Sequence, residues 1–491
     1  MEKTMDFDVI IVGGGPAGLS VGSELAAKGN MVAVIEKGII GNTNRAWIVP
    51  GSIIAELDDD TKKFAYNGVT RFLEHTSGLS IKWDAVAPWN SEEKWKCYPY
   101  IRQKEILDFW AGKIKKNGSK VFEKMFFIDF KRDKNGVSAR SVSSNGVGES
   151  IIFKGKMMLD ASGYSSQIVK QNRINRKKYF WWSVYGYELE FDSVNKLNHP
   201  GNLGEMKIGD YMLWQSFNDI PMKTDKTLSE LRPIMEYEVL DEKTVFVFIL
   251  YYCDEIIDKD FMKSQFDYII KNEESIKSFR GGKVVKERFG WYPSAGINQK
   301  NAGCRIAYIG DAGCWTIPAG WGMSFILQNY RTYAENLSKT IKEGDFSAKS
   351  LNKAVTFNAK EKYEILMDKL VLHFLSYAKP QMIDKFTKTV FDAFGGERLE
   401  IMFCLQMNRK ESLETMMVVL KKFSLKELFG IFHDLGDYLL VIQVMAGFTF
   451  SWMIDFIRSI FGLKPQSAGF KYGSERRKSN SSPLISPKGA Y

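Results

Sequence analysis

The sequence predicts an α/β protein: a Rossmann-like domain assembled from discontinuous segments, a β-rich insertion, and a helical C-terminal region. Three observations lead there. The first forty residues run from a short β-branched stretch through a glycine turn and a helical pattern to a second apolar stretch; Lys178–Leu250 alternates aromatic and polar residues; and beyond Ala319 the apolar residues recur at helical spacing. At 491 residues the chain is long enough for two or three domains sharing one site. Its 45% hydrophobic and 14% aromatic content is that of a folded chain with apolar pockets or a membrane-facing surface.

In chain order, Phe7–Val12 reads as a first strand, the segment through Leu25 as a helix, and Met31–Ile35 as the next strand, which makes a βαβ unit. Met157–Leu159 and Arg305–Ile309 are further short strands, each closed by a turn of small residues. The stretches WWSVYGYELEF, YMLWQSF and TVFVFILYY between them point to a mixed or antiparallel sheet. This places the nucleotide-binding domain at 1–175 and 291–345, the β-rich substrate domain at 176–290, and a helical region at 346–465 with periodic segments Lys353–Ala378 and Gln381–Phe423. Tyr438–Ile454 carries no formal charge and lies at the short end of the roughly 17–25 residues that cross a bilayer. It fits a buried helix, a helix lying in the membrane interface, or a span. The segment 466–491 lacks periodicity and reads as a disordered basic tail, whose Arg476, Arg477 and Lys478 suit contact with anionic lipid.

Several classes drop out. The net charge of +10 is scattered and accompanies no nucleic-acid-binding signature, so no nucleic-acid partner is expected. Five widely spaced cysteines without a C-x-x-C pair indicate neither a disulfide framework nor a zinc site. The N-terminal apolar run is short and enters a glycine turn, so it reads as a strand and not as a secretory signal. A cytoplasmic location follows, with peripheral membrane contact as a further expectation. His75, His199, His373 and His433 form no ligand-spaced set, so no metal is expected, and no G-x-S-x-G elbow is present.

Gly13, Gly15 and Gly18 form G-x-G-x-x-G between strand and helix, with Pro16 and Ala17 inside it, and Glu36 and Lys37 follow at the end of the next strand. Gly13 permits the tight turn, Gly15 lets backbone approach a pyrophosphate, and Gly18 allows helix to pack on strand; the helix N-terminus favours the phosphates, and Glu36 suits ribose hydroxyls. FAD and NAD share this fingerprint, and the segment IAYIGDAGCWTIPAGWG from Ile306 to Gly322 decides between them. Asp311 after Gly310 suits ribityl hydroxyls, and the loop through Pro318, Gly320, Gly322 and Met323 opens a helix whose N–H groups suit a reduced flavin ring. FAD is therefore the expected cofactor, with NAD(P)H as a reductant in the redox alternative. The predicted class becomes α/β: an FAD-binding Rossmann-like domain with an inserted β-rich substrate domain and a helical C-terminal region.

The order GGGPAGL, DASG at Asp160–Gly163, and GDA at Gly310–Ala312 resembles the flavoproteins that include aromatic hydroxylases, geranylgeranyl reductases and lycopene cyclases. The resemblance implies a flavin-side role for Asp160 and Gly163, and for Arg102 as an arginine on a helix near the flavin. Up to about residue 430 the chain looks most like the lycopene cyclases: Glu36 and the KGIIGNTNRAWIV after it, LDASGYSSQIV, and KTVFDAFGGERLEIMFCLQM are similar to cyclase segments. That likeness implies a long apolar substrate, an isoprenoid or polyene, cyclised by protonation while reduced FAD steadies the carbocation. Aromatic walls would help, with Trp181, Trp182, Tyr185, Tyr187, Trp214 and Trp315 as candidates. The acidic Phe-Leu-Glu-Glu-Thr strand of the cyclases is missing where VFVFI stands at Val245–Ile249. The preceding strand places Glu236 and Glu238 on one face, and they are the expected acids, against the alternative of a solvent-facing pair. Asp311 is the residue hydroxylases and reductases carry, so reduction or hydroxylation stands as the competing chemistry, and a membrane-tethered flavin sensor as the non-enzymatic one.

Overall fold

A computed structural model describes residues 3–42, 46–75, 78–84, 98–143, 150–172, 180–214, 233–253, 255–294, 301–313, 322–355, 378–403, 409–429 and scattered positions between 438 and 460. The predicted first strand is Val9–Val12, preceded by a separate edge strand Lys3–Asp6. Val9–Val12 sits at the centre of a six-stranded sheet in the order Ala302–Gly303, Ile306–Tyr308, Met157–Asp160, Val9–Val12, Val32–Ile35, Lys120–Phe122. All but the first pair run parallel. Parallel strands are buried on both faces, which is why these segments are continuous apolar runs and not alternating ones.

The two faces have different covers. Ile11 and its same-face neighbours pack under helices Pro16–Ala27, Gln103–Lys116 and Gly322–Glu343, with Trp110 and Tyr330 fully buried between them. Ile10 and Val12 pack against Phe127, Val137 and Phe153 of a second, four-stranded sheet in the order Lys3–Asp6, Ile151–Gly155, Val137–Ser143, Met125–Arg132. The result is three layers around a sheet whose five parallel strands have their C-termini on one edge.

The aromatic–polar alternation resolves into a seven-stranded sheet, ordered Lys283–Ser294, Phe180–Glu190, Thr244–Cys253, Ile234–Val239, Asp210–Trp214, Arg71–His75, Ser80–Asp84. It is mixed, because Asp210–Trp214 runs parallel to Arg71–His75 and the other neighbours are antiparallel. Period two divides its faces. Odd-numbered Tyr185, Tyr237, Val247, Ile249 and Tyr251 pack under helix Lys259–Asn272. On the even face, Trp182, Ile234, Phe248 and Leu250 meet Ala378 and Ile383 beside and within helix Pro380–Phe394.

The single periodic segment expected over Gln381–Phe423 is three helices, Pro380–Phe394, Gly396–Phe403 and Arg409–Lys422. Gly395 takes φ +76°, a left-handed conformation that stops the first helix where an L side chain would be strained. Among the described residues no helix is long and apolar enough to cross a membrane. Most of Lys353–Ala378, much of Tyr438–Ile454 and the basic tail lie outside the described residues.

Candidate active site

Three turns meet where the strands Val9–Val12, Met157–Asp160 and Ile306–Tyr308 end side by side. In the first, Gly13 has φ +111°, and a Cβ there would stand 2.2 Å from the carbonyl oxygen of Ala161 in the second turn. A Cβ on Gly18 would stand 2.1 Å from the carbonyl oxygen of Gly13. Both positions are therefore closed to any larger residue by neighbouring backbone. Gly15 differs: a Cβ there would meet no atom of the described residues within 4 Å. Its open side faces a cavity lined by Gly13, Gly15, Pro16 and Ala17. Helix Pro16–Ala27 starts at this point with no side-chain cap, so its first N–H groups are left for a ligand.

Glu36 follows strand Val32–Ile35 and ties the turn together. Its Oε2 accepts from the N–H of Gly14 at 2.7 Å and its Oε1 from the N–H of Gly38 at 2.7 Å. A carboxylate has about four acceptor positions, so about two remain toward the cavity that Glu36 and Lys37 line. An uncapped helix N-terminus, an open glycine and a carboxylate with spare acceptors fit a pyrophosphate and an adjoining ribose.

The second and third turns bring in the rest. Gly163 (φ +77°) lines the cavity, and so do Gly310 and Asp311, which lie on a short 3₁₀ turn after Ile306–Tyr308. Gly310 has φ +60°, and a Cβ there would stand 2.8 Å from the Cβ of Ala17, so the third turn lies directly on the first helix. Gly322 and Met323 line the cavity from the start of helix Gly322–Glu343, whereas Pro318 and Gly320 lie outside the described residues.

Two expectations change. Asp160 is fully buried and does not line the cavity: its Oδ1 accepts from the N–H and hydroxyl of Ser162, and its Oδ2 from the hydroxyl of Ser166. It shapes the turn whose backbone reaches the cavity. Arg102 is the last residue of strand Tyr98–Arg102 and not a helix residue, although it immediately precedes helix Gln103–Lys116. Its guanidinium stacks over the Tyr66 ring at 4.5 Å and lines the cavity.

The cavity, of about 1580 Å³, continues from these turns to the even face of the seven-stranded sheet. That exceeds the roughly 300–1,000 Å³ of single-ligand sites and leaves room for a cofactor and a substrate together. Its far wall includes Tyr66, Tyr100, Phe246, Trp291 and Tyr292, along with Glu238. Strand Ile234–Val239 is an inner strand, so Glu236 and Glu238 are half-buried and not a solvent-facing pair. Burial pushes both carboxyls up to about 7; the Tyr211 hydroxyl, which donates to Glu236 Oε2 at 2.5 Å, opposes this at Glu236, while Glu236 adds to the rise at Glu238 and Arg288 opposes it.

Behind the strand, odd-numbered Tyr237 contacts His199 Nδ1 through its hydroxyl at 2.5 Å; His199 Nε2 lies 2.7 Å from Asp210, and Arg71 Nη2 binds Asp210 at 2.6 Å. This buried chain fixes the strand that carries the two glutamates.

Of the six aromatic candidates for the wall, none of the four whose side chains are described lines the cavity. Tyr185 and Tyr187 are odd-numbered and pack against Phe266 of helix Lys259–Asn272, and Trp181 and Trp182 are taken up by Tyr164 and Tyr252. The side chain of Trp214, and Trp315 altogether, lie outside the description. Also unforeseen are Glu188 and Arg288, whose ion pair sits in the cavity wall with the guanidinium 5.3 Å from the Phe246 ring. Val184, Glu188 and Phe246 lie on the same face of the sheet as Glu238, because Phe246 pairs with Glu238 on one side and with Glu188 on the other, a register that the sequence does not carry.

Fold and site together define an α/β protein with the architecture of FAD-binding flavoproteins. The sequence pattern of the pyridine nucleotide-disulphide oxidoreductase family matches residues 10–87. A tryptophan 2-halogenase of Chondromyces crocatus is 26% identical over 195 residues, which span 38% of this chain and 36% of that protein. Among solved structures, a geranylgeranyl bacteriochlorophyll reductase-like protein from Thermoplasma acidophilum superposes with a TM-score of 0.66 at 16% identity, covering 87% of this chain and all (100%) of that one. The halogenase PltM, in complex with phloroglucinol and FAD, superposes with a TM-score of 0.57 at 13% identity over 80% of this chain and 83% of that one.

Proposed function

We propose that the chain is an FAD-dependent enzyme acting on a carbon–carbon double bond of a long apolar substrate of the isoprenoid class, with Glu238 as proton donor. The observation that carries this reading is the single cavity joining the glycine turn at one end to Glu238 and its aromatic surroundings at the other. Gly13, Gly15 and the first N–H groups of helix Pro16–Ala27 would hold the pyrophosphate, Glu36 the adenosine ribose, and Asp311 the ribityl chain. Reduced FAD, when bound, supplies hydride chemistry or negative charge beside the substrate, and NAD(P)H is the reductant this reading calls for. Glu238 keeps a proton near neutral pH because its surroundings disfavour the carboxylate, and it presents that proton to an alkene carbon among Tyr66, Tyr100 and Phe246. Glu236, on the same face and bonded to Tyr211, holds a second proton behind it.

The similarity to a geranylgeranyl reductase-like structure over its entire length supports reduction of the double bond. The aromatic wall supports a second reading, redox-neutral cyclisation of a polyene end group as in lycopene cyclases, because π faces steady a carbocation. An anaerobic assay of the FAD-loaded protein with chemically reduced flavin, offered a geranylgeranyl compound or lycopene in lipid, separates them by product mass. A gain of two hydrogens with flavin oxidation identifies a reductase, and an unchanged mass with shifted absorbance a cyclase. No turnover of either substrate would sink the isoprenoid assignment.

A further inference from the structure

Helix Arg409–Lys422 is apolar on two opposite sides. One side packs inward: Thr415 is buried, and Val419 packs against Val390, Leu399 and Met402 of the neighbouring helices. On the other, Leu413, Met417 and Leu420 are 47%, 49% and 51% exposed. At about 100° per residue these three fall within an arc of about 60°, where a solvated helix carries polar residues. The described helical positions further on repeat the pattern: Leu439, Ile442, Met445, Met453, Ile457 and Ile460 are all exposed and keep helical spacing. Large apolar side chains aligned on a surface call for a covering partner.

Charge identifies that partner. Lys421, Lys422 and Lys426 at the end of the first stripe are exposed and have no ion-pair partner among the described residues. Of the nearby carboxylates, Glu414 pairs with Arg398 and Glu427 with Lys385. Apolar stripes beside unpaired lysines match a bilayer with anionic headgroups, and since no described helix is long enough to cross one, the helices would lie in its plane. We propose that the Leu413–Met417–Leu420 stripe, the exposed apolar residues Leu439, Ile442, Met445, Met453, Ile457 and Ile460, and the lysines beside the first form a docking face for an anionic lipid surface. This is independent of the flavin chemistry.

The test is sedimentation of the full chain with vesicles of phosphatidylcholine, with and without phosphatidylglycerol. The expected result is partition onto the anionic vesicles that exceeds partition onto neutral ones by roughly a hundredfold, at about 1 kcal/mol for each of three lysines. The combined change Leu413→Gln, Met417→Gln, Leu420→Gln should weaken binding to both by at least tenfold, with circular dichroism and melting temperature little changed because about half of each side chain is exposed. Lys421→Gln, Lys422→Gln, Lys426→Gln leaves the apolar stripe intact and should remove only the anionic preference. Three results would overturn the proposal: no wild-type partition onto anionic vesicles, undiminished binding by the glutamine-stripe variant, or a wild-type dimer that this variant dissociates.

Discussion

Glu36 accepts the N–H of Gly14 at 2.7 Å across twenty-two residues of sequence, so the acid that ends one strand sets the conformation of the glycine turn that ends its neighbour. The same carboxylate holds Gly38, leaving its remaining acceptors for the cavity. Glu36→Ala removes two charge-assisted hydrogen bonds of about 1.5–3 kcal/mol each along with the ribose contact. The expected outcome is FAD affinity at least tenfold weaker, read as the ratio of 450 nm to 280 nm absorbance after gel filtration.

Gly15 and Gly18 separate folding from binding. The Gly15 backbone is extended at φ −82° and a methyl there touches nothing among the described residues, so Gly15→Ala should melt with the wild type as apoprotein yet bind FAD more weakly, because the methyl occupies the pyrophosphate cradle. Gly18→Ala drives a methyl to 2.1 Å from a backbone oxygen and should destabilise the apoprotein by about 1–3 kcal/mol. Apoprotein melting together with flavin titration checks both; equal melting temperatures for the two variants would contradict the packing argument.

Asp210 is 1% exposed at its side chain and is held between Arg71 and His199. Arg71→Met leaves that carboxylate buried beside an apolar chain, and loss of about 3–5 kcal/mol is expected in urea unfolding. Tyr237→Phe removes only a hydroxyl at the end of the network and should cost about 1 kcal/mol. Because Tyr237 lies between Glu236 and Glu238, both changes should also lower turnover by displacing the strand.

If Glu238 is the proton donor, kcat/KM should be level below about pH 7 and fall tenfold per unit above it, since the carboxyl that burial holds near 7 is then ionised. Glu238→Gln should reduce turnover by roughly 10²–10⁴ without loss of flavin. A variant with an unaltered alkaline limb would remove Glu238 from the chemistry and leave the cavity assignment standing.

The parallel sheet and the first turn were legible because they are local: Gly13, Gly15, Gly18 and Glu36 lie within one βαβ unit, and their roles follow from backbone sterics. The wall of the cavity is non-local. Tyr66, Tyr100, Phe246 and Trp291 come from strands in two sheets, and composition alone could not say which aromatics shared a face. Tyr185 and Tyr187 alternate with Val184 and Glu188 along one strand, but which set shares a face with Glu236 and Glu238 is fixed by the pairing register between strands, which alternation within a strand does not carry. Asp160 misled for a physical reason: an acid in a small-residue turn suits either a ligand or the turn's own N–H groups, and only burial distinguishes them.

Glu74 tests the docking of the C-terminal helices on the sheet. It is 1% exposed on strand Arg71–His75; its Oε1 accepts the Thr387 hydroxyl of helix Pro380–Phe394 at 2.9 Å, and its Oε2 has no hydrogen-bond partner among the described residues. Burial pushes this carboxyl up to about 8 from an ordinary 4.5; the Thr387 hydroxyl opposes the rise and the charge of Asp384 adds to it. The folded state thus holds the proton more tightly than the unfolded chain. Stability from this group is complete below about pH 4.5, declines as pH rises, and is lost once pH passes about 8. Glu236 and Glu238 act in the same direction with midpoints at about 7, so part of the wild-type loss between pH 7 and 8 is theirs, and Glu74→Gln, which keeps both, isolates the share of Glu74. That share should be up to about 1.4 kcal/mol per pH unit. Glu74→Gln keeps an acceptor for Thr387 and cannot ionise, so it should match the wild type near pH 5 and exceed it near pH 8.5. Urea unfolding of both proteins at those two pH values decides it, and parallel curves between pH 7 and 8 would show that Glu74 is not ionising inside the folded protein.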